Sequence, residues 1–225
     1  MHPYTISPSA RERALRIRGK SVNEAPLVAA RTAFLVVDMQ NYFVAEGRPT
    51  SVAAARAIVP TINRLAGALR QAGALVVWIQ TTADGARERW AQHHAGVLTP
   101  ERARLRLAGL DEAGPDFPLY AALLPQPLDL RVKKIHYSAF IAGSSTLDAD
   151  LRARGIDTVL VAGTATNVCC ESSARDAMML DYRVVMVADA NAAGSDAEHQ
   201  ATLDLFVAFF GDVLTADEVL QRLQA

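Results

Sequence analysis

The chain has almost no cysteine, no excess of either charge and no long apolar run. Its only two cysteines, Cys169 and Cys170, are adjacent. Neighbours in sequence close a disulfide only with strain, so no disulfide framework is expected. No spaced cysteine and histidine set suggests a structural zinc site. Lys plus Arg number 23 against 24 Asp plus Glu, for a net charge of −1. That balance gives no electrostatic reason to bind nucleic acid or an anionic membrane. The basic stretch Arg11 to Lys20 is short and reads as a solvated arm. No apolar run reaches the ~18 residues of a membrane span. Met1-His2-Pro3-Tyr4 begins no apolar signal core, so a reducing cytoplasm is the expected location.

What is present is apolar material in short blocks. About half the chain, 51%, is hydrophobic, enough for one large core across 225 residues. Residues 1–28 are polar and read as an extended N-terminal arm; residues 29–225 read as one domain. Ala33 to Val37, Ala74 to Ile79, Leu130 to Ile135, Thr158 to Gly163, Arg183 to Ala188 and Val213-Leu214 are short runs rich in branched residues. Such runs suit strands buried on both faces. Helical spacing fills the gaps, at Ser51 to Ala72 with Pro60 as a start or bend, Thr146 to Arg154, Asn167 to Leu180 and Ala197 to Phe210. Thr215 with Glu218 reads as a capping box on a last helix. Residues 81–125 are least regular and read as a long insertion over the strand ends. Strand–helix alternation predicts an α/β fold: a three-layer α-β-α domain with a mostly parallel six-stranded sheet and helices on both faces.

Sites in such folds lie outside the carboxyl ends of the strands. Asp38 ends the first strand, Lys134 the third, and Cys169 opens the helix after the fourth. A thiol there gains from the helix N-terminus and from a nearby ammonium, both of which lower its pKa. Alternatively Cys169 is a small buried hydrophobe, as most free cysteines are. Asp38 is either a general base or a cap for a neighbouring loop. Lys133 and Lys134 point to opposite sides by period-two alternation, so one is solvated and one faces the site. Cys169 and Cys170 point about 100° apart on a helix, so only one faces the rim.

Three segments resemble the isochorismatase-like cysteine hydrolases. Phe34-Leu35-Val36-Val37-Asp38-Met39-Gln40-Asn41 is similar to their opening motif. Lys134-Ile135-His136-Tyr137-Ser138-Ala139-Phe140 resembles their lysine motif, and Gly163-Thr164-Ala165-Thr166-Asn167-Val168-Cys169-Cys170-Glu171-Ser172-Ser173 their nucleophile motif. The segments occur in the family order, and the likeness spans roughly residues 30–215. The resemblance implies a catalytic set of Asp38, Lys134 and Cys169, acting through a thioester. It implies an oxyanion hole from the N–H groups of Ala165 and Cys169, beside a cis Thr164–Ala165 bond.

The position where nicotinamidases of this group carry metal-binding histidine reads Gln80-Thr81-Thr82-Ala83-Asp84-Gly85. No catalytic metal and no cofactor are therefore expected. The closest likeness is to amidases of N-carbamoyl compounds and of ureidoacrylate. Asn41, Tyr42, Gln80, Tyr137 and Phe140 are candidate substrate contacts, although each aromatic also suits core packing. His136 could donate to a substrate carboxylate or be a satisfied structural group. Trp90 and the stretch Arg102 to Arg106 could form a lid, an intersubunit wall or a solvated surface. The resemblance implies a homodimer or homotetramer acting on a small molecule. Ether or ester hydrolysis, a non-catalytic scaffold role and a Cys169–Cys170 redox pair are the competing readings.

Overall fold

The computed structural model describes residues 2–224. In chain order the first elements are α1 (Pro8–Arg18), β1 (Leu27–Val28), β2 (Thr32–Val37), α2 (Asn41–Val44), α3 (Ala53–Ala57), α4 (Val59–Gln71) and β3 (Leu75–Thr81). The middle holds α5 (Ala86–Arg89), α6 (Pro100–Gly109), β4 (Leu130–Lys134), α7 (Leu147–Arg152) and β5 (Thr158–Thr164). The last are α8 (Glu171–Met179), β6 (Arg183–Ala192), α9 (Asp196–Phe209), β7 (Asp212–Leu214), α10 (Ala216–Arg222) and β8 (Leu223–Gln224).

Six strands form one sheet in the order β4-β3-β2-β5-β6-β7, and every pairing is parallel. All six residues of β2 are buried. Their side chains alternate: Phe34 and Val36 join a core with α3, α4 and α10, whereas Ala33, Leu35 and Val37 join one with α7, α8 and α9. That is the three-layer arrangement expected of strands apolar on both faces. The chain leaves β2 in one direction towards β3 and β4, then returns to its other side with β5. The switch point therefore lies between the carboxyl ends of β2 and β5, where such sheets open a crevice.

Two local features set that crevice. Gly163 has φ +121°, and a Cβ there would meet the Val37 carbonyl oxygen at 2.1 Å. A glycine is thus what lets β5 close against β2 just below Asp38. Asp38 itself turns out of β2 with φ +53°, a left-handed conformation that non-glycine residues rarely adopt and that collects at functional sites.

Several elements differ from the sequence-based expectation. The N-terminal segment is not simply an extended, solvated arm. Ser7 caps α1, Pro8 begins it and Gly19 ends it at φ +69°. The helix lies on α9 through Ala10 and Ala14, and Arg18 donates to the Val207 and Gly211 carbonyls and to Asp212. A contact stripe of two alanines leaves little hydrophobic periodicity to read. Pro60 marks a helix start, one of its two expected roles: the chain breaks at Ile58 between α3 and α4, and Pro60 falls in the first turn of α4. β1 and β8, a two-stranded parallel sheet, had no sequence signal. The capping box of Thr215 and Glu218 is present.

The segment 82–129 crosses the carboxyl ends and is tacked down at several points. Tyr120 N–H donates to the Met39 carbonyl, and Asn41 N–H to that of Pro118. Gln40 and Gln80 both donate to the Phe117 carbonyl, each at 3.0 Å. Near its far end Asp129 accepts from Trp78 Nε1 and from Arg70. No helix among the described residues is long and apolar enough to cross a membrane.

Candidate active site

Asp38, Lys134 and Cys169 converge at the switch point. β4 stands two strands away from β2, about 9–10 Å by ordinary strand spacing. Only a long side chain spans that gap, and Lys134 does. Its Nζ donates to Asp38 Oδ2 at 2.8 Å, to Thr81 Oγ1 at 2.6 Å and to the His136 carbonyl at 3.1 Å. Thr81, on the intervening β3, accepts from the ammonium and donates its own proton to Asp38 Oδ1 at 2.8 Å. Both ions are fully buried. A buried pair survives only when its remaining donors and acceptors are satisfied, and Thr81 with the His136 carbonyl completes that requirement here.

The alternation on β4 resolves the two lysines. Lys134 is 0% exposed in its side chain, whereas Lys133 is 57% exposed and paired with Glu112. The adjacent cysteines also diverge. Both thiols feel the charges of Asp38 and Lys134, but Cys169 retains 5% exposure whereas Cys170 is completely buried in the α7–α8–α9 core.

The sequence reading expected a helix N-terminus and a lysine to lower the Cys169 thiol. The structure reverses the direction. Residues 166–170 form a π-type turn ahead of α8 rather than the first turn of that helix. Burial, and next the Asp38 charge, push the thiol up to about 12, with Lys134 only partly offsetting them. For Lys134, burial alone would depress the ammonium, but Asp38 and then Cys169 hold it above the ordinary lysine value. The resting site is therefore a neutral thiol beside an ion pair, with a carboxylate placed to take the proton.

Thr164–Ala165 is cis. The Ala165 carbonyl accepts from Val168 N–H and Cys170 N–H, which ties the cis bond to the cysteine turn.

The other candidates divide. Asn41 donates its side-chain amide to the Pro115 carbonyl and Gln80 to that of Phe117, so both amide nitrogens hold the overlying segment. Tyr42 is buried; a Cβ on Gly109 would come within 2.3 Å of its ring, so the ring lies on the α6 backbone. Phe140 is core, 5.5 Å from the Tyr182 ring. Tyr137 alone among the aromatics stays half-buried beside the site. Its phenol is pushed up, first by burial and then, against the lowering charge of Arg106, by Cys169.

Two contributors were not singled out from the sequence. Thr81 and the fully buried Gln40 support the ion pair: Gln40 accepts from Thr81 N–H and donates to the Thr81 carbonyl. Their signal was available, since each is a polar residue at a strand end. Trp90, expected as part of a lid, a wall or a solvated surface, belongs to a ring cluster with His93 and Tyr137. Trp90 stacks on His93 with centroids 3.8 Å apart, and Tyr137 meets both edge-on. His93 is held down to about 4, by burial first and then by Arg106. Among the described residues no three His, Cys, Asp or Glu side chains converge as a metal-binding group.

Comparison with known proteins agrees with this geometry. Residues 32–218 match the family model described as "Isochorismatase domain". The chain is 39% identical over 211 residues to the ureidoacrylate amidohydrolase RutB of Variovorax paradoxus, covering 87% of this chain and 82% of that one. The crystal structure of a cysteine hydrolase from Pseudomonas syringae pv. phaseolicola superposes with a TM-score of 0.77 at 33% identity, over 88% of this chain and 94% of that one. N-carbamoylsarcosine amidase from Thermoplasma acidophilum gives 0.65 at 26% identity, over 83% and 97%. A parallel sheet whose strand order reverses between β2 and β5, three motifs at its strand ends and a family match across most of the chain place this protein among the isochorismatase-family hydrolases.

Proposed function

We propose that the protein hydrolyses the C–N bond of a small ureido or carbamoyl compound, with Cys169 as nucleophile. The observation that carries this reading is the fully buried Asp38–Lys134 pair beside a buried thiol. Charges so placed are costly, and general acid–base chemistry at one rim is a use that fits them.

Because the thiol is held protonated, attack is coupled to proton loss. Asp38 takes the Sγ proton as Sγ bonds to the substrate carbonyl carbon. The carbonyl electrons move to oxygen, where N–H groups of Ala165 and Cys169 are the candidate donors. Collapse of the tetrahedral adduct breaks the C–N bond, and Asp38 returns the proton to the departing nitrogen. Water, deprotonated by the same carboxylate, then attacks the thioester carbon; the C–S bond breaks and Asp38 passes that proton to the departing Cys169 Sγ, restoring the resting site. Lys134 keeps Asp38 in position and balances its charge throughout. The ureidoacrylate amidohydrolase and N-carbamoylsarcosine amidase relatives support a carbamoyl or ureido substrate over a simple amide.

The test is ammonia release from a panel of ureido acids, N-carbamoyl amino acids and nicotinamide, with Cys169→Ala alongside. Release that disappears in the variant supports a cysteine amidohydrolase. Release that persists sinks the nucleophile assignment, and no release from a folded wild type returns weight to ether or ester cleavage.

A further inference from the structure

We propose that Arg106 receives a carboxylate of the substrate, so that the site selects ureido or carbamoyl compounds that bear one. The inference rests on the proposed C–N hydrolysis and adds a determinant of specificity to it.

The reasoning begins with charge. Asp38 and Lys134 cancel, and the Cys169 thiol is neutral at rest. Arg106 then supplies one positive charge that nothing at the site offsets. Among the described residues its guanidinium has no hydrogen bond and no carboxylate. Three acids of the same segment form ion pairs with other cations: Glu101 with Arg104, Glu112 with Lys133 and Asp116 with Arg48. What holds Arg106 is aromatic. Its guanidinium carbon lies 5.6 Å from the Trp90 ring centroid and 5.9 Å from that of Tyr137. Rings steady a guanidinium through their faces and leave its planar N–H fork free for an acceptor.

Placement points the same way. Arg106 projects from the last turn of α6, within the segment 82–129 that crosses the carboxyl ends. Tyr137, one of its two supports, also packs against the core cluster that contains Cys169. Its ring contacts with Trp90 and Tyr137 set Arg106 on the Tyr137 side of the site, and its charge bears on Cys169, Lys134, Tyr137 and His93. An unmatched, half-buried cation whose fork is open beside a nucleophile suits a small anion, and a carboxylate fits the fork with two parallel hydrogen bonds. His136 is the rival donor, since its Nδ1 is buried without a partner.

The experiment compares a ureido acid with its methyl ester. In Arg106→Gln, kcat/KM for the acid should fall by about 10- to 100-fold, chiefly through KM, the loss expected for a charged hydrogen bond. The acid-over-ester preference should collapse with it. Arg106→Lys should recover part of the preference by charge alone. Equal losses for acid and ester in Arg106→Gln would overturn the proposal, as would a preference abolished by His136→Gln and kept in Arg106→Gln. A second readout does not need turnover. Calorimetric titration of the acid and the ester into Cys169→Ala, with and without Arg106→Gln, reads recognition directly. Tighter binding of the acid that disappears with Arg106 supports the proposal even if the hydrolytic reading fails. No binding of the acid, or equal binding of acid and ester, removes the proposal even if hydrolysis is found.

Discussion

The strand ends and the segment that crosses them hold their polar groups by opposite means. At the ends of β2, β3 and β4 the two inward charges are fully buried and matched: Asp38 by Lys134, and both by Thr81. In 82–129, Arg106 is half-buried, unmatched, and held by two aromatic rings. Ladder hydrogen bonds fix the strand tips, on both sides of β2 and β3 and on one side of the edge strand β4, so a buried pair there keeps one geometry. A crossing segment is pinned at a few carbonyls and otherwise packs by shape. The first region suits bond making, which tolerates little misplacement. The second suits selection among substrates, where an open cation waits for its partner.

The sharpest way to break this division is at the thiol. Cys169→Ala should lower turnover by about 10⁴-fold or more. Cys170→Ala, one residue away, should retain turnover and lose about 1 kcal/mol of stability, measured by denaturant midpoint with activity on the same preparation. Large losses from Cys170→Ala with Cys169→Ala active would reverse the roles.

Next is the ion pair. Lys134→Met leaves Asp38 buried and alone, which should cost about 3–5 kcal/mol of unfolding free energy along with activity. Thr81→Val removes the hydroxyl that bridges the pair and should cost about 1–3 kcal/mol. If Lys133→Met matched Lys134→Met, the alternation along β4 would be misassigned.

The crossing segment should answer differently. Trp90→Ala removes one of the two rings that hold Arg106. It should raise KM by about tenfold, with a smaller change in kcat, the pattern of lost binding rather than lost chemistry. A fall confined to kcat would place Trp90 with the strand tips.

The smallest effect is in pH. His93 and His199 are each held near 4 from an ordinary 6.5, by burial first and then by neighbouring positive groups. Below 6.5 the unfolded chain takes up protons that the folded protein refuses until about 4. The unfolded state thus binds more protons in that window, and stability falls as pH drops through it. Denaturation at pH 7 and pH 5 should show the loss. His93→Gln should remove one share of the slope and leave that of His199, whose Nδ1 pairs with the Thr166 hydroxyl.

Much of this was legible in the chain itself. Short branched runs ending in Asp38 and Lys134, with Cys169 just after another, specified a parallel sheet with reactive groups at one rim, because period and strand length are local properties. Alternation along a strand and rotation along a helical turn said that only one residue of each adjacent pair faces the rim; the motif resemblance pointed to Lys134 and Cys169. Local chemistry also fixed the Thr215 cap. Tertiary structure decided the rest. Whether a thiol is lowered or raised depends on how much water and which charge surround it, and those come from distant strands. Asn41 and Gln80 became anchors because 82–129 folded back over them. Arg106 acquired its open fork because packing placed it against Trp90 and Tyr137 while acids of the same segment paired with other cations, a fact of three-dimensional proximity that no spacing in the chain encodes.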